Sequence, residues 1–413
     1  MVEAAIIAVF FIVYLGMILG GLPFLQLDRT GVALLGAIAL IGLEAVTPEQ
    51  AALSIHLPTL VLLFSFMVVS AQMRLGGFYA WVTRALAALP LSPPALLAAL
   101  VVATAALSAV FSNDVVCLAV APVLIEACLA RRLDPVPYLL ALACAANVGS
   151  ALTLIGNPQN MLIGETLELS FGGYAAQALV PVVLGLAVTW ALIAWQTRGR
   201  WSQGSSDAGS PERRADASFD RWQTAKGLAV AAALLVVFLF VPSWPRDVAA
   251  LTGAGLLLMS RRLHSTKMLG LVDWELLILF IGLFVVNHVL QQTGIAAGLV
   301  ADLAAAGVNL EEPAPLFAAT LVLSNVVSNV PAVMLLLPVA EHALAGPTLA
   351  LVSTLSGNLL IVGSIANIIV VGAAARRGIR IDWKRHARTG VPLTFLTLAI
   401  CAAFLWWQAP AAA

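Results

Sequence analysis

Ten stretches of this chain are apolar over the length of a bilayer crossing or close to it, and no water-soluble fold can hide that many. They fall at 3–21, 31–46, 57–73, 137–164 and 174–195, then at 225–242, 246–260, 272–290, 347–375 and 389–408, with 31–46 and 246–260 short for a span. With 61% apolar and 10% charged residues the chain lies outside the soluble globular range. In hydrocarbon every backbone polar group must be paired within the segment, so apolar runs of this length read as helices. The expected class is an all-α polytopic membrane protein embedded in the lipid bilayer. The 21 basic and 21 acidic side chains cancel, which gives no reason to expect nucleic acid as a partner. Cys117, Cys128, Cys144 and Cys401 sit in apolar runs without metal-ligand spacing and read as small hydrophobes. The opening "MVEAAIIAVFFIVYLGMILGG" lacks a basic n-region and reads as a retained first span.

One long polar tract, 196–222, is rich in Ser, Gly and Arg and reads as a flexible linker between an N-terminal unit, 1–195, and a C-terminal unit, 223–413. The two units align. Arg29, Ala33, Gly36 and Ala37 fall on Arg246, Ala250, Gly253 and Ala254; Gly77 falls on Gly294; Ser108, Ser112, Asn113 and Pro122 fall on Ser324, Ser328, Asn329 and Pro338. Gly156 and Asn160 then meet Gly363 and Asn367. Five crossings per unit is an odd number, so the units have opposite orientations. With the linker cytoplasmic and both termini outside the cell (inner) membrane, only Arg246 of the 21 basic residues lies outside. An inverted-topology repeat follows, a common build of secondary transporters.

Two further segments, "GGFYAWVTRALAALP" and "GIAAGLVADLAAAGV", are short and carry Arg84 and Asp302, so they read as interfacial helices. Stretches 93–130 and 313–345 are apolar pairs broken midway by Ser-Asn. Parity allows either two full spans or a re-entrant hairpin in each case. If they are hairpins, their tips lie deep in the membrane.

The polar interruptions carry the chemistry. "SND" at Ser112, "SNVP" at Ser328, "GNPQN" at Gly156 and "GSIAN" at Gly363 each restart a helix by local logic, clearest at Asn157-Pro158, where Asn caps free amides and Pro needs no donor. Segments 137–164 and 347–375 are thus expected to stop, unwind and resume. Such breaks persist at membrane depth only where protein or a water-filled cavity satisfies the freed backbone. Their new N-termini and unwound carbonyls, with Ser and Asn oxygens, suit an anion or a small cation. Asp114 is the one charged difference between the units, its counterpart being Val330. A carboxylate in hydrocarbon costs roughly 2.5–3.5 kcal/mol on insertion scales, so it needs a function or a partner. Burial would favour its protonated form and make it a proton carrier; a nearby cation would make it a ligand. His56, His288 and His342 read as packed side chains.

At "SNDVV", "LTLIGNPQNMLIG", "SNVVSNVPAVMLLLPVA" and "LLIVGSIANIIVVG" the chain resembles the ion transporter superfamily, which includes citrate transporter-like permeases, divalent anion:sodium symporters, the arsenite efflux membrane subunit and certain sodium/proton antiporters. The resemblance spans nearly the whole chain. It implies two inverted repeats, each with five crossing helices, one of them broken, plus a re-entrant hairpin, in a homodimer that moves its binding domain like an elevator. By position it suggests Ser108, Ser112, Asn113 and Gly156 for one ion or substrate site and Ser324, Ser328, Asn329 and Gly363 for the other. Sodium is implied at the two Ser-Ser-Asn sets. Asn157, Pro158, Asn160, Ser364 and Asn367 complete the candidate set, and Asp114 is the proton-coupling candidate. Asp114 and Val330 stand where the sodium symporters carry threonines, and the acid with "GNPQN" is more similar to the arsenite-permease branch.

The expected function is secondary transport of a small anion (an inorganic oxyanion, arsenite-like, or a carboxylate) coupled to a proton or sodium gradient. A cation/proton antiporter on the same fold is the alternative, with Asp114 as exchange site, and a passive channel comes third. No G-x-x-x-x-G-K-[ST] loop is present, so ATP use by this chain is not expected, while a separate ATPase partner stays open. The chain has no H-E-x-x-H helix, no G-x-S-x-G turn and no Asp-rich diphosphate motif, and an enzyme is not expected. No cofactor is expected beyond the coupling ion.

Overall fold

The computed structural model describes residues 2–22, 25–202 and 219–412, with side chains to 408; most of the expected linker, 203–218, lies outside the described residues. The first unit runs α1 (Val2–Leu19), a two-stranded turn of β1 (Gly21–Leu22) and β2 (Leu27–Asp28), α2 (Arg29–Gly42), α3 (Pro48–Ser54), α4 (Leu57–Leu75), α5 (Phe78–Ala88), α6 (Pro93–Val110), α7 (Asn113–Ala130), α8 (Pro135–Ser150), α9 (Pro158–Thr166) and α10 (Phe171–Gln196). The second runs α11 (Arg221–Phe240), α12 (Arg246–Leu258), α13 (Ser265–Leu269), α14 (Trp274–Gln292), α15 (Ile295–Ala305), α16 (Pro313–Val326), α17 (Asn329–Leu336), α18 (Ala345–Ser356), α19 (Ile365–Ala375) and α20 (Trp383–Ala412). The order of long, short, paired and interrupted helices is the same in both units.

Local chemistry sets many of the boundaries. Asp28 Oδ1 accepts the Gly31 amide at 2.8 Å to start α2, and Asp134 Oδ1 accepts the Val136 amide at 3.0 Å to start α8 with Pro135 in its first position. Thr47 and Gln50 form a reciprocal capping box at α3. The short helices α5 and α15 both begin after a glycine in the left-handed region, Gly77 at φ 72° and Gly294 at φ 74°, a conformation that costs glycine nothing. The same turn thus recurs at the two positions that the internal repeat pairs.

Packing follows the repeat as well. α2 lies against α14 and α4 against α12; α7 lies against α19 and α17 against α9; α6 packs on α8 as α16 packs on α18. Two helical bundles result. One contains the uninterrupted helices α1, α2, α4, α11, α12 and α14. The other contains α6–α10 and α16–α20, with α8 at its centre, every residue from Pro135 to Ser150 being buried. Large apolar side chains such as Phe11, Val183, Val236, Phe240 and Trp406 remain exposed on the outer helices, where lipid tails would cover them. At one join between the bundles the Arg246 guanidinium reaches the end of α9. It donates to the Gly164 and Leu169 carbonyls at 2.7 and 3.0 Å and pairs with Glu165 at 2.9 Å.

The two helix pairs expected at 93–130 and 313–345 are both present and differ in length. α6 and α7 have 18 residues each, about 27 Å of helix, whereas α16 has 14 and α17 only 8, about 21 and 12 Å. Both arms of the second pair are shorter than a hydrocarbon core of about 30 Å, as the arms of a re-entrant hairpin are. Pro338 ends it early: α17 tightens into a 3₁₀ turn at Leu337–Val339. For the first pair, the Asn113 amide donates to the Gly156 carbonyl at 3.3 Å, which sets the tip level with the gap between α8 and α9. The 9 residues of α9 then continue roughly 13 Å past that level.

Candidate functional site

The first interruption runs from Ala151 to Asn157. Gly156 is required there, because a Cβ would stand 2.2 Å from the Ser150 carbonyl oxygen. Asn157 Oδ1 accepts the Asn160 amide at 3.0 Å and Pro158 opens α9, as the sequence predicts. The rest of both asparagines braces the gap. Asn157 Nδ2 donates to Ser150 Oγ and Thr354 Oγ1, each at 3.1 Å, and Asn160 Nδ2 donates to the Thr153 carbonyl at 3.1 Å. In the second interruption Asn367 Nδ2 plays that bracing part, donating to the Gly357 and Leu360 carbonyls at 2.8 and 3.0 Å.

The serines behave differently from the capping logic. Ser112, Ser328 and Ser364 occupy the positions just before α7, α17 and α19, but none of their hydroxyls caps a helix amide. Ser364 instead donates to Asn147 Oδ1 at 2.8 Å. Ser328 has φ 80° and ψ 160°, a region where non-glycine residues are strained by roughly 1–3 kcal/mol. Strain of that kind gathers at ligand clamps.

Asn147, buried on α8, is the hub. Its Oδ1 accepts Asn113 Nδ2 at 3.1 Å as well as Ser364, and its Nδ2 donates to Asn358 Oδ1 at 2.9 Å and Asn367 Oδ1 at 3.3 Å. One side chain thereby joins the first tip to the second interruption. Sequence reasoning passed over Asn147, Thr354 and Asn358 because none belongs to a repeated motif. The signal that could have found them is simpler: an amide or hydroxyl inside an apolar helix must find a partner.

These pieces enclose a chamber of about 40 Å³ lined by Asn113, Asp114, Asn147, Pro158, Gln159, Leu276, Ser328, Asn329, Val330, Thr354, Gly363, Ser364 and Ile365. By the usual measure, in which a water needs about 10–15 Å³, it holds roughly three waters or one compact solute. Both helix-pair tips, the start of α9, the second interruption and one residue of α14, Leu276, contribute to it. Of the sequence candidates, Asn113, Asp114, Pro158, Ser328, Asn329, Gly363 and Ser364 line it. Ser112, Gly156, Asn157, Asn160 and Asn367 are not among the lining residues. Ser108 and Ser324 lie one turn before the tips, buried, with hydroxyls that find no partner among the described residues. The two Ser-Ser-Asn sets are therefore divided, with Asn113, Ser328 and Asn329 at the chamber and Ser108, Ser112 and Ser324 away from it.

Asp114 and Val330 occupy pseudo-symmetric positions, and both line the chamber. The Asp114 carboxylate lies near the backbone of Ala366 in the first turn of α19, where a helix N-terminus favours negative charge. Its Oδ1, with Asn113 Oδ1 and Asn329 Oδ1, has no partner among the described residues. No lysine or arginine lines the chamber.

Two inverted helical units that close their interrupted segments around one polar chamber define a membrane transporter. Residues 8–355 match the family described as "Citrate transporter" (CitMHS), and the chain belongs to that family. It is a multi-pass membrane transporter. It is 30% identical over 347 residues to the inner membrane protein YbiR of Escherichia coli (strain K12), covering 82% of this chain and 85% of that one. It is 28% identical over 455 residues to the silicon efflux transporter LSI3 of Oryza sativa subsp. japonica, covering 92% of each. In fold it is similar to the crystal structure of the YdaH transporter of Alcanivorax borkumensis, with a TM-score of 0.57 and 15% identity over 98% of both chains.

Proposed function

We propose that this chain is a secondary active transporter that exchanges protons for a compact, hydroxylated oxyacid of the arsenite or silicic acid type, with Asp114 as the shared site. The observation that carries the reading is a lone carboxylate in a chamber of about 40 Å³ that no lysine or arginine lines. A tricarboxylate such as citrate would need counter-cations and several times the room. A small neutral oxyacid needs neither. Its hydroxyls can donate to the open oxygens of Asn113, Asp114 and Asn329, and a proton on Asp114 replaces the charged acceptor that such a solute uses with a weaker neutral one. Solute and proton then compete for one group, which is the logic of exchange. The silicon efflux named for the rice relative agrees with this chemistry. The bundle of uninterrupted helices would serve as scaffold while the bundle carrying the chamber moves.

A second reading, a cation/proton antiporter, draws on the same unpaired oxygens, which would also ligate a small cation. Proteoliposomes containing a pH-sensitive dye separate the two. Gradients of arsenite, silicic acid, citrate and sodium are imposed in turn. Arsenite or silicic acid is expected to drive protons in the opposite direction. Asp114→Asn is expected to abolish the proton signal while oxyacid counterflow persists. Proton movement driven by sodium and by no oxyacid would establish the second reading, and robust citrate exchange would defeat the size argument.

A further inference from the structure

A cavity of about 690 Å³ opens where the end of α10 meets the starts of α8 and α20, away from the transport chamber. We propose that it binds an anionic phospholipid through its phosphate headgroup. Its rim carries four guanidiniums, Arg198, Arg200, Arg385 and Arg388, and a single carboxylate, Asp134. That carboxylate is already engaged, pairing with Arg385 at 3.2 Å and accepting the Val136 amide. Arg198 and Arg388 have no carboxylate partner among the described residues. The cavity therefore has surplus positive charge, presented by side chains whose planar forks match phosphate oxygens.

The depth of the cavity favours lipid over a soluble anion. Its inner wall is apolar, formed by Val136, Leu140 and Ile193. The exposed ring of Trp195 stands at the end of the long span α10, the place where interfacial tryptophans mark headgroup level. An arginine rim above an apolar wall at that level fits a headgroup with its glycerol and first acyl carbons. The floor is preformed: Gln196 donates to the Arg388 carbonyl at 2.8 Å and accepts the Thr389 hydroxyl at 2.7 Å, fixing α10 to α20. The bias of basic residues assigns this end of the molecule to the cytoplasmic leaflet, where anionic lipids attract such patches. The site also adjoins the transport machinery. Between Arg385 and Arg388 on α20, the His386 ring Nε2–H donates to the Asn358 carbonyl at 3.0 Å, and the Asn358 side chain accepts from Asn147.

The test uses the full-length purified protein. Its thermal midpoint and its retained lipid, read by native mass spectrometry, are measured with added phosphatidylglycerol, phosphatidylcholine, or inorganic phosphate with glycerol phosphate. Phosphatidylglycerol is expected to remain bound and to raise the midpoint, whereas phosphatidylcholine and the soluble phosphates leave it unchanged. Arg198→Ala with Arg388→Ala is expected to weaken phosphatidylglycerol roughly 30-fold, from two lost headgroup charges. Should that pair unfold, Arg198→Lys with Arg388→Lys keeps the charge but loses the fork, and a smaller shift is expected. Equal retention of both lipids, or an alanine pair that binds as the parent does, overturns the proposal. An equal shift from soluble phosphate alone overturns the assignment to lipid.

Discussion

Replacing Asn147 by Leu, close to it in volume but without polar atoms, tests whether the hub holds the two units together. Among the described residues the substitution removes the one partner of Asn113 Nδ2, of the Ser364 hydroxyl, of Asn358 Oδ1 and of Asn367 Oδ1, while Asn367 Nδ2 keeps its two carbonyls. Buried groups orphaned in a soluble protein cost about 1–3 kcal/mol each, which would give roughly 4–12 in total. Between membrane helices the measured values are smaller, about 0.6 on average and at most about 1.7, because the unfolded chain in lipid also finds partners. The expected loss is therefore about 2–7 kcal/mol, read from reversible unfolding in mixed micelles. A double-mutant cycle with Ser364→Ala should show a coupling of about 0.5–1.5 kcal/mol. A Leu variant within about 0.5 kcal/mol of the parent, or strictly additive effects with Ser364→Ala, would refute the hub.

Two other substitutions probe features outside it. Ser328→Gly should relieve the positive φ and raise stability by about 1 kcal/mol in the same unfolding assay, while oxyacid exchange weakens because a chamber hydroxyl is gone. A destabilised glycine variant would show that the backbone is not strained there. Arg246→Ala should cost about 3 kcal/mol, since it leaves the largely buried Glu165 carboxylate and two α9 carbonyls without their partner. Arg246→Lys should recover only part, because an ammonium cannot serve all three groups from one position. Full recovery by Lys would reduce the contact to simple charge.

The crossing helices were legible because apolar length is a direct measure of what a bilayer demands. The expected segments 57–73, 174–195 and 272–290 became α4, α10 and α14 with ends moved by a few residues. The interruption at Asn157-Pro158 was equally readable, since its cause is local. The lengths of the paired helices were not, because Pro338 shortens α17 whereas the matching Pro122 is absorbed within α7. The chamber was half legible. Its tips and interruptions repeat between the units, but Asn147, Thr354 and Leu276 do not, and only the packing of α8, α18 and α14 brings them to the same place. Which group each serine meets was not legible, because its partner is tertiary, as Ser364 shows by turning to Asn147.

The pairing of Asp114 with Val330 sets an energetic limit on the proposed exchange. Of these two paired positions only Asp114 is ionisable, so each turnover of the proposed exchange has a single seat for a proton there. Swapping one proton for one uncharged solute moves one net elementary charge across the membrane. A potential of 100 mV then supplies about 2.3 kcal/mol per cycle, enough for a solute ratio near fifty even without a pH difference. Voltage alone should therefore drive accumulation or extrusion, and transport currents should be measurable.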